Sequence, residues 1–265
     1  MNSIDLDNIH NVIVTGKSGA GKQPRIDVLA EEFHLEQLST GDIFRHYLGI
    51  FNDYTYDGDL TQFWDKKQNR FVSDTIIAEE IGTDNNDVLL GLKAKYFVEQ
   101  GLFGPDYIVN SLFESTFAEK KYTGQILDGY PRTLDQAKFL LSLTEEKNVT
   151  LDFIILVDNT DERIIQRTVQ RRICPKCGKV YHLKYKPPKE GKCEKCDIDV
   201  IQRSDDKEEK IKSRLLEFKK KALPAIEYLQ EQGIPLVKVP GHLEVFTDEN
   251  VRKSVMDEIQ KIAKK

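Results

Sequence analysis

Two short constellations in this chain of 265 residues bring together residue types that can do chemistry. The first is Gly16-Lys17-Ser18-Gly19-Ala20-Gly21-Lys22, which follows the strand-like run Val12-Ile13-Val14-Thr15. Glycines in a G-x-x-x-x-G-K string let successive backbone N–H groups turn inward on phosphate oxygens, and the positive end of a following helix assists them. Lys22 would add a mobile cation for the β- and γ-phosphates. The string departs from its common form just afterwards. Gln23 stands where many such loops carry Ser or Thr, and Pro24 follows. Neither offers a hydroxyl to magnesium, and Pro24 also lacks an N–H, although proline fits the first turn of a helix.

The second constellation holds all 4 cysteines of the chain, Cys174, Cys177, Cys193 and Cys196. Paired C-x-x-C motifs at this separation can wrap four thiolates tetrahedrally around zinc, each pair forming one knuckle. Gly178, directly after Cys177, suits the tight turn such a knuckle needs. Two disulfides or a redox-active pair are the other readings of the same residues. The first ten residues carry Asp5 and Asp7 and no Lys or Arg, so no signal-peptide n-region is expected. A reducing cytoplasmic setting follows from that expectation, and it favours a structural metal. Four protein ligands would leave no open position for activating water. Iron remains an alternative to zinc in such a sulfur site.

The remaining composition bounds what these groups can belong to. Charged residues make up 31% of the chain, with 39 basic against 44 acidic side chains, a formal net charge of −5. That balance argues against a global basic field for gripping nucleic acid. No run approaches the roughly 18 consecutive apolar residues of a membrane helix, so no membrane partner is expected.

Short apolar runs must position the two constellations. Asn11 to Thr15, Gln125 to Leu127, Leu151 to Val157 and Pro235 to Val239 read as strands of a parallel sheet, each bounded by Gly, Pro, Asp or Asn. Helical patterns lie between them: Ile26, Leu29, Ala30 and Phe33; Phe139, Leu140 and Leu143; Ile164, Ile165, Thr168 and Val169. Asp205 with Glu208 predicts a capping box for a long helix running toward Tyr228, and Phe246 to Ile262 a closing helix. Strand–helix alternation gives an α/β fold with a mostly parallel sheet. Residues 39–120 and 173–203 break the rhythm and read as insertions into one core.

Further strings fill out the pattern. They are Leu38-Ser39-Thr40-Gly41-Asp42-Ile43-Phe44-Arg45, Asp128-Gly129-Tyr130-Pro131-Arg132-Thr133, Arg167 to Arg172, Val180-Tyr181-His182, and Arg203-Ser204-Asp205-Asp206 with Arg214 downstream. In order and approximate separation, from residue 11 to about 245, they resemble signatures of the adenylate kinase family in its zinc-lid form. The resemblance implies a P-loop kinase core assembled from residues 1–38, 121–172 and 204–265. It implies an inserted helical lobe binding a nucleoside monophosphate at 39–120, and a zinc-binding lid at 173–203.

It also implies an activity: reversible, magnesium-dependent phosphoryl transfer from ATP to AMP, giving two ADP, by a cytoplasmic monomer. ATP would lie on Gly19, Ala20, Gly21, Lys22, Gln23, Arg167, Val180 and Tyr181. AMP would lie on Thr40, Arg45, Gly129, Arg132, Gln136, Arg203 and Arg214. Lys22, Asp128, Arg132, Arg171, Arg203 and Arg214 would carry the transfer. The chemistry of these types agrees, because guanidinium forks match phosphate oxygens and a strand-end carboxylate can hold magnesium. Arg167 and Arg171, four apart, would share one helical face. Leu102-Phe103-Gly104 aligns with a base-contacting stretch but differs in its residues.

Three rival readings remain open at this point: a kinase of the same fold for another monophosphate, a nucleotide-binding regulator without turnover, and a zinc-ribbon RNA-binding module. One departure concerns length. About forty residues, 48–90, separate the Arg45 helix from the resumed resemblance at Gly91. They hold the only tryptophan, Trp64, together with Phe51, Tyr54, Tyr56, Phe63 and Phe71, which reads as a small local core enlarging the acceptor lobe.

Overall fold

A five-stranded parallel sheet positions the phosphate loop. In the computed structural model, which describes residues 4–99, 104–184, 186–202 and 206–263, strand β1 (Asn11–Thr15) is buried along its whole length. Strand β2 (Glu36–Ser39) follows, and two short pairs lie outside the main sheet: β3 (Trp64–Asp65) with β4 (Arg70–Phe71), and β7 (Arg171–Ile173) with β8 (Val180–His182). Strands β5 (Gln125–Asp128), β6 (Phe153–Asp158) and β9 (Leu236–Pro240) complete the main sheet, in the order β2-β5-β1-β6-β9. Val14 pairs with Asp128 on one side and with Ile155 on the other, so β1 delivers its carboxyl end between two strand ends that also carry polar residues. Parallel α/β sheets bind ligands at such carboxyl ends.

Helices cover both faces. Helix α1 (Lys22–Phe33) leaves the phosphate loop, and α2 (Thr40–Tyr54), α3 (Asp74–Ile81), α4 (Asn86–Glu99) and α5 (Asp106–Glu119) build the first insertion. Helices α6 (Leu134–Lys147) and α7 (Asp161–Val169) flank β6, and α8 (Glu208–Glu217), α9 (Leu223–Glu231) and α10 (Asp248–Ala263) close the chain. Side chains alternate along β1 as the pleat requires. Ile13 joins a core with Leu127, Ile154 and residues of α2, α4, α5, α6 and α9. Val12 and Val14 face the other way, into a core with Ile126, Phe153 and residues of α1 and α10. Among the described residues, no helix is long and apolar enough to cross a membrane.

Several sequence expectations shift by one or two residues, for physical reasons. The closing helix begins at Asp248 because the Thr247 hydroxyl accepts the Asn250 N–H, so Thr247 is its cap. The long helix does reach past Tyr228, but not through a capping box. Its N-cap is Lys207, which places Glu208 at the first helical position, too early to reach back; Asp205 lies outside the described residues. A π-helical stretch, Phe218–Ala222, joins α8 to α9 just before Pro224, whose missing N–H and ring bulk cannot fit a regular α-turn. Strand β2 goes unseen in the sequence, since only Leu38 of Glu36–Ser39 is buried and its place comes from pairing with β5.

The aromatics of the insertion pack on one another and on α4. Trp64 stacks on Tyr96 at 5.4 Å and meets Phe71 and Phe97 edge-on. The Tyr54 hydroxyl donates to the Ile81 carbonyl, tying α2 to the end of α3. This cluster is continuous with the core on one side of the sheet, and is not the separate local core expected from its length. Helices α2 and α4 approach closely because Gly91 has no side chain: a Cβ there would fall against the Tyr47 carbonyl and 2.8 Å from the Phe51 Cβ. Gly91→Ala should therefore destabilise the protein by about 1–3 kcal/mol through overpacking. A urea midpoint equal to the parent's would contradict this packing.

Candidate active site

The phosphate loop turns at Gly21, the N-cap of α1, which has φ of 106°. Its carbonyls are held from outside. The Arg167 guanidinium donates to the Gly19 carbonyl, the Asn159 amide to that of Ala20 at 3.3 Å, and Arg25 to that of Gly21 at 3.3 Å. Lys17 is occupied elsewhere, pairing with Asp161 at 2.5 Å and donating to the Asn159 carbonyl at 3.0 Å. An open cleft of about 540 Å³ lies beside the loop at the carboxyl ends of β6 and β9; Asn159, Thr160, Pro240 and His242 are among its lining residues.

Lys22 is the centre of the electrostatics. Burial lowers its pKa below the usual lysine value; Asp128 raises it, while Arg132, Arg214 and Arg171 lower it further. Three guanidinium groups and one carboxylate from three separate parts of the chain thus act on one ammonium. Arg132 is likewise lowered by burial, supported by Asp128 and opposed by Arg214. Asp128 at the end of β5 accepts from Gln37 through Oδ2 at 2.9 Å, while its Oδ1 is buried without a hydrogen-bond partner. Gln37 in turn accepts from Gln23 at 2.9 Å. The residue that replaces the usual hydroxyl therefore reaches the carboxylate through a second amide.

Across the cleft, Arg132 donates from Nε to the Gly129 carbonyl at 2.6 Å and from its fork to the Thr40 hydroxyl at 3.2 Å. Thr40 donates to the same Gly129 carbonyl at 3.4 Å. Gln136 is buried, and both ends of its amide are engaged. Oε1 accepts the Arg132 N–H and Nε2 donates to Asp106, each at 2.8 Å. Arg45 is not drawn into this group; it is exposed, pairs with Asp42 and leans over Gly41 at the mouth. Arg203, Leu102 and Phe103 lie outside the described residues.

The cysteine segment forms two matching knuckles. In each, the N–H following the second cysteine returns to the first cysteine's carbonyl: Gly178 to Cys174 at 2.9 Å, Asp197 to Cys193 at 2.8 Å. Gly178 and Asp197 occupy the same left-handed turn position, with φ of 71° and 52°. The four sulfurs lie within 4.8 Å of one another as free thiols, a donor set for a soft metal and not two disulfides. Tyr181 donates its hydroxyl to Cys193 Sγ, and this bond holds that thiol well down, at about 6. The Tyr181 side chain is consequently buried under the cluster, whereas Val180 beside it is exposed.

Arg167 and Arg171 do not share a helical face as their spacing suggested. Helix α7 ends at Val169 and Arg171 opens β7, because the chain there turns into the lid hairpin. Arg171 makes a two-pronged pair with the fully buried Asp206, at 2.5 and 2.8 Å. Gln37, Asn159, Asp106 and Arg25 are the residues sequence reasoning passed over, and Asp206 stands in its string without a role. Only Arg25 left a local trace, a charge beside Ile26 on the buried side of α1.

A strand-borne phosphate loop, facing a converging set of guanidinium groups at the carboxyl edge of a parallel sheet, defines a phosphoryl-transferring enzyme of the nucleoside monophosphate kinase class. Comparison with known sequences sharpens the class. The model of the family described as adenylate kinase matches residues 82–234. An adenylate kinase of Caldanaerobacter subterraneus subsp. tengcongensis is 34% identical over 250 residues, covering 92% of this chain and 96% of its own. That of Petrotoga mobilis is 36% identical over 243 residues, covering 91% and 94%, and that of Thermotoga neapolitana 35% over 236, covering 88% and 91%. The chain belongs to the adenylate kinase family and is a phosphotransferase.

The Arg171–Asp206 pair yields a stability prediction separate from turnover. Arg171→Ala leaves a buried carboxylate without its cation and should cost about 3 kcal/mol. Adding Asp206→Asn to that variant should recover most of the loss. A urea titration checks both, and an unchanged single mutant would contradict the pairing.

Proposed function

We propose that ATP and AMP meet tail to tail in the cleft around Lys22, where this nucleoside monophosphate kinase converts ATP + AMP to 2 ADP. The observation that carries the reading is the convergence of Arg132, Arg171 and Arg214 on Lys22, with Asp128 beside them. These cations, offset in part by Asp128 and Asp206, would favour a bound anion. Their fixed positions then stabilise charge on a migrating phosphoryl group without reorganisation.

The donor's phosphates would bind the N–H groups of Gly19, Ala20, Gly21, Lys22 and Gln23, with Arg167 nearby and the nucleoside in the adjoining cleft. The acceptor's phosphate would bind Arg132 beside Thr40 and Gly129, joined by Arg45 from the mouth, Arg214 and Arg203. Gln136 has both donor and acceptor capacity for a purine edge, and its position beside Arg132 supports AMP as acceptor. Residues 39–120 would act as the acceptor lobe and 173–203 as a lid excluding water, with the Val180 backbone facing the donor. No protein nucleophile or strong base is needed, since alignment and positive charge suffice for this transfer.

Two metals fit the residues present. Asp128 suits magnesium entering with ATP: a buried carboxylate oxygen without a hydrogen-bond partner is a ready hard donor. When bound, magnesium neutralises charge on the donor's terminal phosphates. The Cys174, Cys177, Cys193 and Cys196 set suits structural zinc, which would stiffen a lobe too small to hold itself together.

Lys22→Met should keep the parent's circular dichroism spectrum and lower kcat by at least about 10²-fold, the usual effect of removing one charge-stabilising donor. The measurement is ADP formation from ATP, magnesium and each nucleoside monophosphate in turn, with AMP the best acceptor. Near-parent turnover would refute the reading. Cys177→Ser should lose bound metal in elemental analysis, which also separates zinc from iron, and should recover part of its activity on cooling. Equal metal content in variant and parent would remove the cluster's assignment.

A further inference from the structure

A trans peptide points its C=O and N–H in opposite directions. The Ala20 carbonyl shares a peptide plane with the Gly21 N–H, and the Gly21 carbonyl with the Lys22 N–H. Holding those two oxygens outward therefore aims both donors into the concavity of the loop. Asn159 holds the first oxygen and Arg25 the second, each at 3.3 Å.

Arg25 is an unusual choice for that task. Its side chain is fully buried, and among the described residues no carboxylate lies within ion-pair distance of it. Among the described residues its charge is met by the Gly21 carbonyl, the Pro240 carbonyl at 2.6 Å and the face of Phe246 at 5.9 Å, and its Nε has no partner there. Burial, with the charge of Arg167, pulls its pKa down to about 10. An interior cation so poorly compensated costs stability, and an apolar side chain of similar length would cost less. Its position is one helical turn from Lys22, directly under the loop, in the one segment where Gln23 and Pro24 withhold a hydroxyl and an N–H.

We infer that Arg25, with Asn159 beside it, is a positioning residue for the donor's polyphosphate. It fixes the Gly21 carbonyl so that the Lys22 N–H faces the phosphates, and it supplies from beneath the loop a positive charge that the bound anion neutralises. The inference rests on the loop being the donor's phosphate site.

Calorimetric titration of the full chain with inorganic tripolyphosphate, and separately with AMP, tests it. Arg25→Met should weaken tripolyphosphate binding about tenfold, the scale of a lost charge-assisted hydrogen bond, and leave AMP binding at the parent's value. KM for ATP should rise while KM for AMP holds. Arg25→Lys, which keeps the charge, should regain part of the affinity, and Asn159→Ala should lose affinity in the same direction. A folded Arg25→Met protein with the parent's tripolyphosphate affinity would overturn the inference, as would equal weakening for AMP. If Arg25→Met does not fold, parent-like tripolyphosphate binding in both Arg25→Lys and Asn159→Ala would overturn it. A parent that fails to bind tripolyphosphate would instead sink the reading of the loop itself.

Discussion

The structure depends on mutual repulsion held in check. Arg132, Arg171 and Arg214 are brought within electrostatic reach of the Lys22 ammonium, at the end of the phosphate loop, from the loop after β5, the base of a hairpin and a helix. Asp128 offsets Lys22 and Arg132, and Asp206 offsets Arg171. Such a gathering of cations does not assemble itself; the parallel sheet, the Arg171–Asp206 pair and the Arg132–Gly129 contact hold it in place. A polyanion bound there would relieve that repulsion, so anion affinity and fold stability would oppose one another at this edge of the sheet.

Much of this could be read directly in the chain, but only where chemistry is written in consecutive residues. The phosphate loop and the two cysteine knuckles are strings whose glycine, lysine and cysteine positions carry their geometry within themselves. The strands Asn11–Thr15 and Phe153–Asp158 announce themselves because burial on both faces demands unbroken apolar residues. Strand β2 gave no such signal, since an edge strand with one buried side chain is defined by its partner.

Roles in the site divide along the same line. The local contacts of Arg132 lie largely within or just after its own string, at Gly129 and Gln136; those of Asp206 and Gln37 could not be read so, because their partners are 35 and 91 residues away. Helical spacing between Arg167 and Arg171 misled, since the chain leaves the helix between them. Tyr181 shows a further limit: its string does not reveal that the ring turns toward the sulfurs. Which neighbour claims a side chain is decided by tertiary competition and not by the string that contains it.

The stacking of Trp64 and Phe71 on Tyr96 and Phe97 has a consequence for how this chain could vary. Tyr96 and Phe97 belong to the surface of helix α4, and Trp64 and Phe71 form the roof that shields it. A chain without residues 55–85, which lie between α2 and α4, would expose Tyr96 and Phe97 to water. Loss of that segment would call for polar side chains at 96 and 97, so the segment and its floor answer to one physical constraint.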